Sequence, residues 1–360
     1  MKKVLFVLLA LAMVTGGVFA QVAADGLVQS TFGLSMDLGR DKDDDAGIPE
    51  RDSSNSWMFG LNDAKIGVTV DADVVTAGVR LQAAGGGAVL DWADASVNLD
   101  PVTLSIGFAY LPWVQWSSLA FDGDSNWGFG ASAVKDTYIQ AKFGMDDLSI
   151  YAGLARQGVG GADLKDNAVF PGFYIGGDYG ADAFSVGAAF LGAPRGKFWD
   201  ASPFAPGDEE TRFFWMGNLH FKLFFDPLTV GVNVALYGDP EADASDTLAI
   251  NYIYPVHYWG GNEDSVLEAL LDIGVGLDPC DIGFTVGFLS NMADTDKGGG
   301  MSALKIGLSA TFDLGGGFSL IPGLKFTKPF GKYYDAGADK EFDIKEKGQF
   351  DIGLTFCYGF

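Results

Sequence analysis

Apolar and polar residues alternate one by one along most of this chain. Val102, Leu104, Ile106, Phe108 and Tyr110 interleave with Thr103, Ser105, Gly107 and Ala109. Leu228, Val230, Val232, Val234 and Leu236 interleave with Thr229, Gly231, Asn233 and Ala235. The same holds for Phe213 to Leu223, and for Leu304, Ile306, Leu308, Ala310 and Phe312 around Lys305, Gly307, Ser309 and Thr311. The chain stops on the pattern: Phe350, Ile352, Leu354, Phe356, Tyr358 and Phe360 alternate with Asp351, Gly353, Thr355, Cys357 and Gly359. Period two places alternate side chains on opposite faces of a β-strand, so each strand has one apolar face and one small or polar face. In a soluble sandwich the apolar set would face a core, and in a membrane barrel it would face lipid. Alternation alone does not separate the two.

The connections between strands carry the next signal. Leu99-Asp100-Pro101-Val102 is echoed by Phe225-Asp226-Pro227-Leu228, and Leu277-Asp278-Pro279-Cys280-Asp281 repeats it with a longer turn. Pro fixes φ and Asp caps the local backbone, so each motif starts a tight turn. Asp71 to Val74, Met145 to Leu148, Ala181 to Phe184 and Leu314 to Phe318 read as turns of the same kind. These seven short turns alternate with eight longer segments, at 40–55, 84–88, 111–130, 157–169, 193–210, 239–262, 292–301 and 330–346. Together they join about sixteen antiparallel strands, with short turns on one rim and long loops on the other. The reading is all-β, a transmembrane antiparallel barrel with short periplasmic turns and long extracellular loops.

Composition agrees with this. Gly makes up 51 of 360 residues, aromatics 14% and charged residues 19%. Such a balance suits a barrel whose glycines pack against neighbours inside and whose aromatics form girdles. After the N-terminal stretch no apolar run approaches eighteen residues, so no transmembrane helix is predicted. The net charge is −24, which argues against nucleic acid as a partner. Cys280, read in a turn, and Cys357, read on the lumen side, are too few for a disulfide framework.

The N-terminal stretch has Lys2 and Lys3, the apolar run Val4 to Val14, and a small-residue end closing on Ala20. This is the layout of a secretory signal peptide cleaved before Gln21, leaving residues 21–360 as the barrel. The final strand, with Phe360, Tyr358 and Phe356 at alternate positions, resembles the C-terminal signal of bacterial outer-membrane β-barrels. That resemblance implies an outer-membrane location and recognition of these three residues by the barrel-assembly machinery. The junction Gly16 to Gln21 is similar to those of spirochaete exported proteins. The first strand is expected to begin near Leu27, which leaves no room for the N-terminal hatch of fatty-acid transporters.

Charged residues within a membrane span must face water or a partner. Taking the polar parity as inward gives acids at Asp37, Asp94, Glu268, Asp272, Asp313 and Asp351. It gives bases at Lys65, Arg80, Lys142, Lys222, Lys305 and Lys325. Six against six is a balanced lumen, with the excess acid in loops and turns. His220 joins this set beside Asn218 and Lys222. These are the candidate pore-lining residues.

Residues 111–130 hold Trp113, Trp116, Phe121, Trp127 and Phe129. Folded inward, Trp113, Trp116 and Trp127 would narrow the pore and offer stacking faces to sugars, as in sugar-selective porins. Left outside, they belong to the aromatic girdle, the plainer reading. Tyr252, Tyr254, His257, Tyr258 and Trp259 carry the same alternatives. The spacing of Asp41, Asp43, Asp45 and Asp52 is better read as a solvated acidic loop than as a calcium loop, because the glycine at 47 is misplaced and no helices flank it. Asp239, Glu241, Asp243 and Asp246 are read likewise. Gly307-Leu308-Ser309-Ala310-Thr311 lacks the second glycine of a nucleophile elbow. No catalytic set, metal site or cofactor site is predicted.

The expected function is that of an outer-membrane porin admitting small hydrophilic solutes by passive diffusion. Its partners would be membrane lipid, the assembly machinery and the solutes, with a homotrimer implied by the resemblance to sixteen-stranded porins. Two alternatives stand: a surface adhesin with a plugged lumen, and a transporter of hydrophobic substrates.

Overall fold

Among the described residues, seventeen strands succeed one another. A computed structural model describes residues 21–42, 49–84, 87–110, 135–155, 172–195, 212–238, 266–292, 300–335 and 340–360. The first strands are β1 (Gln21–Asp37), β2 (Ser54–Ala72), β3 (Val75–Ala84), β4 (Gly87–Asn98), β5 (Val102–Tyr110) and β6 (Lys135–Met145). Then come β7 (Leu148–Ala155), β8 (Gly172–Ala181), β9 (Phe184–Arg195), β10 (Arg212–Phe225), β11 (Leu228–Gly238) and β12 (Val266–Leu277). The last are β13 (Cys280–Asn291), β14 (Met301–Gly315), β15 (Phe318–Asp335), β16 (Lys340–Asp343) and β17 (Gln349–Gly359). From β1 to β16 each strand pairs antiparallel with the next, β15 also pairs with β17, and β17 pairs with β1. All but β16 therefore close a sixteen-stranded barrel, and β16 caps the upper end of β15.

Closure runs from Leu27 opposite Gly359 to Asp37 opposite Gln349. The Gly26 amide donates to the Phe360 carbonyl at 2.9 Å, and the Phe360 amide donates back at 3.1 Å. The last residue of the chain thus completes the seam. Phe356 and Phe360 are exposed on the outer face, and Tyr358 stacks on Phe318 with centroids 4.3 Å apart.

Which face is apolar settles the ambiguity left by the alternation. Ile106 is 56% exposed and Phe356 52%, whereas Asn233, Thr285 and Asp272 are at most 1% exposed. Large apolar side chains point out of the closed sheet, and polar ones are covered inside it. A water-soluble sandwich shows the reverse, because burying apolar surface is what stabilises it. The sandwich reading is excluded.

The seven turns fall where the sequence puts them, with four refinements. Leu277 pairs with Cys280, so the Asp278-Pro279 turn is as short as the one at Asp226-Pro227 and Cys280 begins β13. Ala84 pairs with Gly87 and Ala83 with Ala88, so strand residues occupy most of the segment 84–88 and it is no long loop. Segment 330–346 contains the end of β15 and the whole of β16. β1 starts at Gln21, since residues 21–26 pair with β2 below the seam. Cys280 lies opposite Phe312 on the outward side and Cys357 opposite Gln29 on the inward side, so no disulfide joins them.

The turn between β14 and β15 is pressed against the closing strand. Gly315, Gly316 and Gly317 all have positive φ, at 82°, 62° and 83°. A Cβ on Gly317 would run into the Gly359 carbonyl, whereas Gly316 has open space around it. Gly317→Ala is expected to cost about 2–3 kcal/mol in denaturant unfolding, since a left-handed φ and a backbone clash act together. Gly316→Asn should be near neutral, because Asn tolerates that φ.

Candidate functional site

The inner wall is built by register. Residues directly opposite across an antiparallel pair share a face, so the buried Thr31–Thr355 hydroxyl pair, 2.8 Å apart, fixes the inward parity at the seam. Followed around the barrel, that parity carries all thirteen charged or histidine positions named from the sequence.

Lys325 Nζ lies 3.6 Å from Asp351 Oδ2. Gln349 Nε2 donates to Asp351 Oδ1 at 2.7 Å and to Ser35 Oγ at 2.9 Å. Lys65 is buried opposite Leu27 and Gln82. Thr285 donates to the fully buried Asp272. Lys142 stands opposite Thr103 and Tyr151, Lys222 opposite Ser185 and Gly231, and Lys305 opposite Gly287 and Thr327. Glu268 occupies the position opposite Ala235 and Leu289. Asp313 lies at the turn rim, where it accepts from the Gly315 amide at 2.8 Å.

Asp37 lies at the other rim, 2.9 Å from Arg51. Arg51 also reaches Glu346 at 2.8 Å, and Arg40 reaches it at 3.5 Å. Backbone bonds from Leu38 to Gly348 and from Lys347 to Gly39 tie the same two connections together. Burial holds the Glu346 carboxyl above its ordinary value, against the opposing pull of both arginines. Asp41 pairs with Lys347 at 2.8 Å.

Register adds inward acids that the alternation missed: Asp25, Asp71, Asp91, Asp178 and Asp281. By position it also adds the acids Asp63 and Asp136, and the bases Arg195 and Arg212, which stand opposite each other at the ends of β9 and β10. The six-to-six balance thus becomes an excess of acidic over basic positions on the inward parity. Asp91 owes its place to a bulge. Arg80 pairs with Trp92 and Leu81 with Leu90, which leaves Asp91 as the extra residue. It is buried and accepts from Arg80 Nε at 2.5 Å. The Arg80 guanidinium also lies 5.9 Å from the Trp92 ring centre, within cation–π range.

Between β4 and β10 the wall is aromatic. Tyr151 lies over Gly176 and Tyr174 over Gly153, each ring covering a glycine on the strand opposite. Trp92 covers Gly78 in the same way. Tyr174 Oη donates to Gln140 at 3.2 Å and Tyr138 Oη to Asp94 at 3.5 Å. His220 Nε2 is 3.4 Å from Asp178 Oδ1, both above Gly187. Asn218 donates to Asn233 at 2.6 Å. The opposite half of the wall presents hydroxyls, amides, lysines and carboxylates.

His220 stands on β10 and Ser309 on β14, so register does not bring a base to that serine. Trp113, Trp116 and Trp127 lie outside the described residues. So do Phe121, Phe129, the 252–259 aromatics, Asp43, Asp45, the acids from Asp239 to Asp246 and the stretch 1–20.

The fold is shared with solved structures over nearly the whole chain. The outer membrane channel DcaP of Acinetobacter baumannii matches with a TM-score of 0.63 at 12% identity, covering 96% of this chain and 98% of its own. An anion-selective porin from Comamonas acidovorans matches at 0.61 and 11%, covering 95% and 100%. The trimer form of OmpT, an outer membrane protein of Vibrio cholerae, matches at 0.59 and 12%, covering 95% and 99%. No protein-family model and no curated protein matches the chain. At these identities the likeness is one of fold: a closed sixteen-strand barrel of the porin type.

Proposed function

We infer that this chain is an outer-membrane porin that lets small hydrophilic solutes diffuse passively down their gradients. The observation that carries the reading is the inverted burial: apolar side chains outward, charged and polar ones inward, around a closed sheet. Sixteen strands leave a barrel wide enough for water, and mixed charges on the inner wall favour a wet lumen. The fold it shares with the DcaP channel and the Comamonas porin supports the same assignment. In this reading residues 1–20 are a cleaved signal peptide, and Phe356, Tyr358 and Phe360 present the assembly signal on the closing strand. Association as a trimer follows by analogy with OmpT.

The inner wall gives the channel a sign. Acids outnumber bases on it, so cations pass more readily than anions. Asp91→Asn together with Asp178→Asn is expected to lower that preference, because the first change leaves the Arg80 charge uncompensated. Liposome swelling tests the passage itself. Vesicles loaded with the refolded protein should swell faster in small sugars than in large ones. Swelling no faster than that of empty vesicles would overturn the assignment.

A further inference from the structure

Lys328 breaks the sidedness of the wall. It lies on β15 between Phe326 and Phe330, opposite Leu304 of β14. Thr327 and Pro329 on either side are buried inward, and Lys328 is exposed outward. Among the described residues few charges share the outward parity: Lys135 ends β6 opposite Tyr110, Lys332 stands beyond the β14 ladder opposite Asp343, and Lys328 lies within that ladder. Ten residues separate it from Phe318 at the turn rim. At about 3.3 Å per residue and a tilt of about 40° they lift it about 25 Å, the height of the apolar band of such barrels. Lys328 therefore stands at the extracellular edge of that band, where headgroup phosphates lie.

Its surroundings form a small amphipathic ledge. The Phe288 and Phe330 rings lie 6.3 Å apart beside it. One residue pair higher, the Ser290 and Ser302 hydroxyls are hydrogen-bonded at 2.9 Å, with Ser302 opposite Phe330. An ionisable side chain on a lipid-facing wall is costly unless it has a partner. Here the charge, the rings and the hydroxyls match the parts of one anionic lipid.

We propose that this ledge is a docking site for an anionic lipid of the outer leaflet. Lys328 takes the headgroup phosphate, Ser290 and Ser302 border the headgroup, and an acyl chain runs down over Phe326 and Leu304. The proposal rests on the membrane-barrel reading but not on the passage of solutes.

The test uses the refolded mature chain in nanodiscs holding equal phosphatidylglycerol and phosphatidylcholine. After mild detergent extraction, retained lipid is counted by mass spectrometry. The wild type should retain phosphatidylglycerol over phosphatidylcholine by about fivefold, the effect of one lysine near an anionic surface. Lys328→Gln and Lys328→Met should both bring the ratio near one, and Lys328→Arg should keep it. Both neutral variants are suited to an apolar face, so folding is not at risk in both.

Lys345→Gln removes a rim lysine paired with Asp343 and should leave the ratio unchanged. The proposal is overturned by a wild type without preference, by neutral variants that keep it, or by Lys345→Gln lowering it equally. It is also overturned if millimolar inorganic phosphate abolishes the preference, which would make the ligand a free anion. Conductance recorded on the same preparations separates the two readings: lipid preference without current sinks the porin and leaves this site standing.

Discussion

Ile106→Arg lowers the stability of the folded barrel by about 2–4 kcal/mol, whereas Ser105→Arg one residue earlier changes it by only about 0.5 kcal/mol. Ile106 lies on the outer face and is 56% exposed. It stands five residues above the Asp100-Pro101 turn, about 12 Å up a band of about 25 Å. An arginine there would sit near the middle of the hydrocarbon. Ser105 faces inward, opposite Ser96 and Gln140, where a guanidinium finds water and carboxylates. Equilibrium urea unfolding of both variants in lipid vesicles measures the difference. Equal costs, or a larger cost at Ser105, would mean that the exposed apolar face does not meet lipid.

The second large effect is expected at Asp351. Its carboxylate is almost wholly covered, and the Lys325 ammonium beside it is largely so. Asp351→Ala removes the carboxylate beside that ammonium and leaves Gln349 without one of its two acceptors. Removing one member of a buried pair costs about 3–5 kcal/mol, and a neighbouring wet lumen places this case near about 3. Replacing both residues by Lys325→Met and Asp351→Leu should recover most of the loss, since a packed apolar pair avoids the desolvation cost of two charges. A double-mutant cycle in denaturant reads the coupling. A loss below about 1 kcal/mol for Asp351→Ala would mean that water already solvates Lys325.

Most of the barrel can be read from single residues in order. Val102 to Tyr110, Leu228 to Leu236 and Phe350 to Phe360 alternate cleanly, because each strand has lipid on one side and small or polar neighbours on the other. Asp-Pro and Asp-Asp mark the turns because their backbone chemistry is local. The inner wall is less legible where it depends on the neighbouring strand. Asp91 sits at a bulge, so counting by twos from Asp94 passes over it. Asp178 lies among Gly176, Gly177 and Gly180, which carry no facing signal of their own. The ring-on-glycine pairs of Tyr151 with Gly176 and Tyr174 with Gly153 exist only through register across the connection 156–171. Gly85 to Gly87 read as a loop by composition, yet Gly87 is already paired with Ala84.

Sidedness also decides what a charge does. In the proposed channel the inward acids shape the path of ions, while Lys328, a single step out of phase with the inward parity, reaches the outer side of the same wall. The lipid site needs only that lipid surrounds the sheet; the channel needs in addition that the sheet closes around water, and that is the central claim.

Single-channel recording of the refolded chain from Gln21 to Phe360, in a planar bilayer with a salt gradient, tests that claim most directly. The account predicts steady, ohmic, nanosiemens-scale steps and a reversal potential of the sign set by cation preference. Folded protein that inserts and passes no current would contradict it.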